Sequence, residues 1–167
     1  MADMFAALAG SSTDGRIYIE AAVSAGASAI LTDMRPLEAP LDDLGIPIVM
    51  VENPRHVLAK AAARFWRKQP GMIAAVTGTN GKTSTTDFLR QLWTRVTWQA
   101  ASIGTLGVKG TDTRKMDGKI LDLPKLTTPD SVSLHSALSP LCNAGVTHLA
   151  LEASSHGLLQ QRLDGLN

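Results

Sequence analysis

Short apolar runs alternate with longer amphipathic ones along the chain. MFAAL (Met4–Leu8) predicts a strand, and the turn-rich AGSSTDG follows it. RIYIEAAVSAGA predicts a helix with Ile17, Ala21, Ala22 and Ala25 on one side and Gly26 near its end. SAILTD and GIPIVMV predict two further strands. NPRHVLAKAAARFWRKQ predicts a helix capped by Asn53, with Pro54 at the first helical position, where a missing N–H costs nothing. QPG (Gln69–Gly71) is a stop signal and the expected domain boundary, dividing residues 1–70 from 71–167. The strand MIAAV, a glycine loop, the helix KTSTTDFLRQLWTRV and the strand QAASIG follow in turn. A polar stretch containing Gly107, Gly110 and Gly118 predicts a hairpin or excursion. PDSVSLHSALSPLCNAG predicts a helix with Pro129 at its start, and THLALEAS predicts the last strand. This alternation predicts an α/β fold of parallel sheets with helices on both faces.

Composition narrows the class. A chain of 167 residues holds one good core or two small domains. With 44% hydrophobic and 19% charged residues, it reads as a soluble globular protein. A net charge of +1 gives no electrostatic case for nucleic acid or a membrane surface. The single cysteine, Cys142, excludes an internal disulfide framework and a cysteine-based zinc site. No apolar run approaches the roughly 20 residues of a membrane span. The N-terminus carries Asp3 and no basic segment, so it reads as a poor signal peptide, and a cytoplasmic location is expected.

The chemistry concentrates in AAVTGTNGKTSTTDF (Ala74–Phe88), where a strand meets glycines and a lysine before a helix. Glycines let backbone N–H groups crowd around an anion, and the following helix N-terminus favours negative charge. Gly78, Thr79, Asn80, Gly81, Lys82, Thr83 and Ser84 are the candidate nucleotide-binding residues. Lys82 is placed for the β- and γ-phosphates, and the Thr83 hydroxyl is a candidate ligand for Mg2+. The common phosphate-loop pattern has glycine where this chain has Val76, so the loop is a variant. The plainer reading is a glycine turn beside an exposed lysine.

Glu152 ends a predicted strand in HLALEASSHGLLQQR, and in open parallel sheets ligands sit at strand carboxyl ends. A carboxylate there can hold magnesium between nucleotide and acceptor. Ser154, Ser155, Gln160 and Arg162 add neutral donors and a planar cation suited to a second, anionic ligand. The alternative is a solvated helix start with Glu152 exposed. His156 has no spacing for a serine–histidine pair, and His56, His135 and His148 have no metal-ligand spacing. The hydroxyls of LTTPDS (Leu126–Ser131) most simply cap the next helix.

Taken together and in order, GTNGKTS, TTPD and EASSHGLLQQR resemble the Mur ligases, within them the MurE type, which adds the third residue of the peptidoglycan stem peptide. AGSSTDGRIYIEAAVSAGASAIL resembles that family's N-terminal uridine-binding domain. The resemblance covers nearly the whole chain. GTNGKT is shared with other ATP-dependent amide ligases such as cyanophycin synthetase, whereas SSHGL followed by Gln160 and Arg162 discriminates. It implies a small uridine-binding α/β domain followed by the first part of a phosphate-loop, parallel-sheet ATPase domain. It also implies ATP and Mg2+, with UDP-N-acetylmuramoyl-L-alanyl-D-glutamate and a diamino acid as substrates. The D-glutamate γ-carboxylate would be phosphorylated, and an amine would displace phosphate to form the amide. Lys82 and Glu152 are then the catalytic candidates, with Thr83 and Glu152 on the metal. Thr127, Thr128, Ser154, Gln160 and Arg162 would contact the UDP-sugar peptide, and Ser11, Ser12 and Thr13 would lie near the uridine.

Against the family pattern, the opening of the N-terminal domain, the later carboxylated lysine and the amino-acid-selecting C-terminal domain are missing. The expectation is therefore a fragment that is inactive alone and either self-associates or rearranges to hide uncovered sheet. The N-terminal stretch resembles Gram-negative members, which favours diaminopimelate over lysine. The rival readings are a phosphate-loop kinase or GTPase, disfavoured by Val76, and a non-catalytic UDP-sugar or nucleotide-binding module. A dinucleotide-binding unit would need a G-x-G-x-x-G that GTNGKT does not supply.

Overall fold

The computed structural model describes residues 3–10, 13–36, 44–110, 123–124 and 126–167. The chain forms two compact units, Met1–Leu58 and Ala59–Asn167. The division falls inside a helix, upstream of the Gln69–Gly71 turn.

In the first unit, strands β1 (Asp3–Ala7), β2 (Ala27–Asp33) and β3 (Ile48–Val51) form a parallel sheet in that order. Register places Phe5 beside Ile30 and Ile30 beside Ile48, and Ala7, Ile19 and Ile30 are buried at the centre of the core. The expected single helix after β1 is instead a 3-10 turn, Gly15–Tyr18, running into a short α1, Ile19–Ser24. The buried residue there is Ile19, while Ile17 is 66% exposed, so the apolar face is not the one counted from Ile17. Asp14 starts the turn, accepting from the Arg16 amide at 3.1 Å and from the Arg16 guanidinium at 2.8 Å. That guanidinium draws the Asp14 carboxyl down to a pKa of about 2. Helix α2 (Pro54–Trp66) begins as expected, the His56 amide donating to Asn53 Oδ1 at 3.1 Å.

The second unit contains β4 (Met72–Val76), α3 (Lys82–Arg95), β5 (Ala100–Gly104), β6 (Gly107–Gly110), α4 (Ser131–Asn143), β7 (His148–Glu152) and α5 (Ser155–Leu159). Its sheet runs β4-β7-β5-β6, with β7 parallel to both neighbours and β4 at one edge. The sheet is mixed rather than wholly parallel, because β6 pairs antiparallel to β5. Only Thr105 and Leu106 join those strands, and a parallel crossover needs about a dozen residues or more. Gly107 takes the left-handed conformation, φ 75°, that closes this short hairpin.

Strand alternation sorts the two faces of β7. Leu149 and Leu151 pack with Leu134, Leu138 and Leu141 of α4. Glu152 has the opposite parity and meets Thr83 of α3, so helices cover both faces. Helix α4 is capped by Asp130, which accepts from the Ser133 amide at 2.9 Å, so Pro129 lies before the cap and outside the first turn. Among the described residues, no helix is long and apolar enough to cross a membrane.

Candidate functional site

Strand β4 delivers the chain at Val76 into the loop, and α3 takes over at Lys82. Gly78 (φ 146°) and Gly81 (φ 80°) hold conformations that residues with a Cβ rarely adopt. Gly81 is the N-cap of α3 and brings no capping side chain, which leaves the first-turn amides of the helix facing the loop. The Lys82 ammonium bends back over the loop, donating to the carbonyls of Gly78 at 2.7 Å and Thr79 at 3.4 Å.

Register places Glu152, the last residue of β7, directly beside Val76. The Glu152 side chain is not exposed, as the solvated-helix reading requires, but buried at 2%. Three donors hold its carboxylate: the Thr83 hydroxyl at 2.9 Å and the Thr105 hydroxyl at 3.2 Å reach Oε2, and the Thr105 amide at 2.9 Å reaches Oε1. The carboxylate lies against Gly104, where a Cβ would come within 2.5 Å of Glu152 Cγ and Cδ. Loop residues Thr79, Asn80, Gly81, Lys82, Thr83 and Ser84, with Thr105, Thr127 and Glu152, line a single depression of about 250 Å3.

The remaining predicted residues of this unit lie behind it. Thr128 is 1% exposed, and its hydroxyl donates to the Glu152 carbonyl and accepts from the Ser154 amide, each at 2.8 Å. Ser154 caps α5 by accepting from the Gly157 amide at 3.0 Å. A Cβ on Gly157 would come within 2.9 Å of the Thr128 side chain, which accounts for the glycine of SSHGL. Arg162 donates to the Thr128 carbonyl at 2.7 Å and twice to Gln160 Oε1. The structure thus separates the two threonines: Thr127 opens to the depression, and the Thr128 hydroxyl is spent on the strand–helix junction.

In the first unit, the Thr13 carbonyl accepts from the Gly10 amide at 2.9 Å, while Ser11 and Ser12 lie outside the described residues. A separate cavity of about 540 Å3 opens at the carboxyl ends of its three strands, lined in part by Leu8, Asp33, Arg35 and Arg55. Sequence reasoning missed Thr105. Its position directly after a strand, at a carboxyl end, was the available signal.

The donor set of the second unit suits a hard cation. Two oxygens, the Thr83 hydroxyl and a Glu152 carboxylate oxygen, stand 2.9 Å apart at the loop. Magnesium characteristically takes one or two carboxylates and completes its shell with water and phosphate oxygens. No cluster of three or more His, Cys, Asp or Glu residues that could hold a metal occurs among the described residues, so these offer no cage for a metal alone.

Comparison with known proteins agrees with this geometry. The Mur ligase middle domain matches residues 76–167, more than half of the chain. The chain is 52% identical over 164 residues to the UDP-N-acetylmuramoyl-L-alanyl-D-glutamate–2,6-diaminopimelate ligase of Bradyrhizobium diazoefficiens, covering 98% of this chain and 31% of that protein. It is 50% identical over 163 residues to the enzyme of the same name from Caulobacter vibrioides, covering 98% of this chain and 32% of that one. A solved structure of such a ligase superposes with a TM-score of 0.75 at 30% identity, over 99% of this chain and 32% of the other. The MurF ligase of Thermotoga maritima, solved with ADP, shares the fold at a TM-score of 0.52 and 24% identity. The chain spans about a third of the length of the curated relatives it matches. With its middle-domain motifs in place around one depression, the chain belongs to the Mur ligase family.

Proposed function

We propose that this chain supplies the ATP- and magnesium-binding half-site of a cytoplasmic, ATP-dependent amide ligase of peptidoglycan precursor synthesis. The reaction joins diaminopimelate to UDP-N-acetylmuramoyl-L-alanyl-D-glutamate, the pair of compounds in the names of its relatives. The observation that carries this reading is the meeting of Thr83 with Glu152 at 2.9 Å, beside Lys82 and the two left-handed glycines.

The γ-phosphoryl group passes from ATP to the D-glutamate γ-carboxylate, and the amine of the incoming amino acid then displaces phosphate. Both partners of the first step are anionic, so catalysis consists largely of neutralising charge and aligning groups. The loop amides and the first turn of α3 receive the phosphates, and Lys82 turns from the loop carbonyls onto the β- and γ-oxygens. Thr83 and Glu152 would hold magnesium, which when bound offsets charge on the phosphates. Thr127 meets the acceptor directly. Thr128, Ser154, Gln160 and Arg162 set that wall of the depression and serve the same substrate, while Ser11, Ser12 and Thr13 serve its uridine.

Titration of the chain with ATP, with Mg2+ and with chelator, tests the reading. Metal-strengthened ATP binding that Lys82→Ala weakens is the expected result. Equal affinity in both conditions refutes the magnesium role of Thr83 and Glu152, and no binding in either refutes a nucleotide half-site and leaves a non-catalytic module.

A further inference from the structure

We infer that Gly104 and Thr105 form the positioning element for Glu152, an inference that rests on the nucleotide–magnesium reading above. Three independent observations converge on the pair. Gly104 leaves the space that the carboxylate occupies, since a Cβ there would come within 2.5 Å of Glu152 Cγ and Cδ. The Thr105 amide fixes Oε1 at 2.9 Å and so directs Oε2 to Thr83 and the loop. The Thr105 hydroxyl stands 3.2 Å from Glu152 Oε2 and 3.2 Å from Thr127 Oγ1.

The hairpin makes this hold rigid. Gly104 pairs with Gly107, so Thr105 sits at the first position of a turn with only Leu106 beside it. An amide in a closed turn cannot follow the carboxylate if it swings. The carboxylate is thereby kept in one rotamer before any cation arrives. Thr105 touches no reacting atom. Its hydroxyl carries one hydrogen and has two acceptors in reach, so a cation taking Oε2 frees that hydrogen for Thr127. The metal side and the acceptor wall of the depression thus share a donor.

Thr105→Pro removes the amide donor while keeping the turn, because proline suits the first central position of such turns. Thr105→Ala keeps the amide and loses only the hydroxyl. With Mg2+ titrated into chain plus ATP, Thr105→Pro should raise the Mg2+ midpoint about tenfold, the scale of one hydrogen bond to a charged group, and Thr105→Ala should stay within about twofold. The thermal unfolding midpoint should fall further in Thr105→Pro, which takes the amide donor from the buried carboxylate, than in Thr105→Ala, and the titrations are read well below both unfolding midpoints. An unshifted Mg2+ midpoint in Thr105→Pro, or an equal Mg2+ shift in Thr105→Ala, overturns the assignment while leaving metal-dependent ATP binding intact. Loss of metal-dependent ATP binding in the unsubstituted chain removes both readings. Independently of how the proline variant folds, the Thr105 amide resonance should shift in Glu152→Gln, and an unmoved resonance overturns the proposal.

Discussion

Substituting Gly104 by alanine tests the packing of the carboxylate directly. Gly104 does not have a positive φ, so the backbone accepts alanine and any cost comes from the methyl group. That methyl falls within 2.5 Å of Glu152 Cγ and Cδ, far inside contact distance, and the neighbour is the root of a buried side chain that cannot simply turn its tip away. Either the strands shift, an overpacking cost of about 1–3 kcal/mol, or the carboxylate leaves and forfeits a charged hydrogen bond of about 1.5–3 kcal/mol. We expect about 3 kcal/mol of destabilisation in urea. Trp66, Trp93 and Trp98 all lie in the second unit, so intrinsic fluorescence follows its unfolding. In a Glu152→Ala background the obstacle is gone, and the same substitution should cost less than about 1 kcal/mol, giving a coupling of at least about 2 kcal/mol. Gly71→Ala, with no atom within 4 Å of its added Cβ, is the control and should stay within about 0.5 kcal/mol. Equal costs for Gly104→Ala in the two backgrounds would refute the reasoning.

Lys82→Ala should lower turnover of the full-length ligase at least about a hundredfold, the scale of losing one preorganised electrostatic stabiliser, and near-normal turnover would end the assignment. Glu152→Gln should raise the Mg2+ requirement without unfolding the chain, because an amide is a poor ligand for a hard cation, and an unchanged requirement would return Glu152 to a structural role. His135 is buried at 1% and pairs through Nε2 with the Asp164 carbonyl, and burial holds its pKa below the ordinary 6.5. The unfolded chain therefore takes up this proton first as pH falls, so the stabilisation is complete above 6.5 and declines below it. The urea midpoint of the second unit should drop below that pH, less steeply in His135→Gln, and equal slopes in the two proteins count against this account.

What the sequence disclosed and what it withheld divide along the range of the interactions. The loop from Gly78 to Ser84 was legible because strand, glycines, lysine and helix are consecutive, and their chemistry is local. The Asn53 cap of α2 was legible for the same reason. Glu152 was recognisable only as a strand end. Its burial depends on β7 inserting between β4 and β5, a non-local pairing that hydrophobic periodicity does not encode. Thr105 stayed hidden because its importance comes from that insertion, which sets the β5 hairpin beside Glu152. The Thr127–Thr128 pair shows the limit of residue type as a guide. Two adjacent hydroxyls read alike in sequence, yet one faces the depression and the other is enclosed by Ser154 and Gly157. The 3-10 turn at Gly15 escaped detection because the Asp14–Arg16 pairing wins locally over helical spacing.

Strand β4, which carries the glycine loop, lies at a sheet edge with β7 as its partner among the described residues. Its other side presents backbone groups that can accept a further strand. A segment laid there in parallel would bring its carboxyl end to the loop, and one laid antiparallel would bring its amino end. Whatever occupies that edge thus places a chain terminus or its flanking residues at the glycine loop, and the choice of direction sets the charge that arrives. Edge occupancy and nucleotide affinity are then thermodynamically linked. A peptide or a second copy that pairs along Met72–Val76 should alter ATP affinity, and ATP should alter that pairing by the same factor.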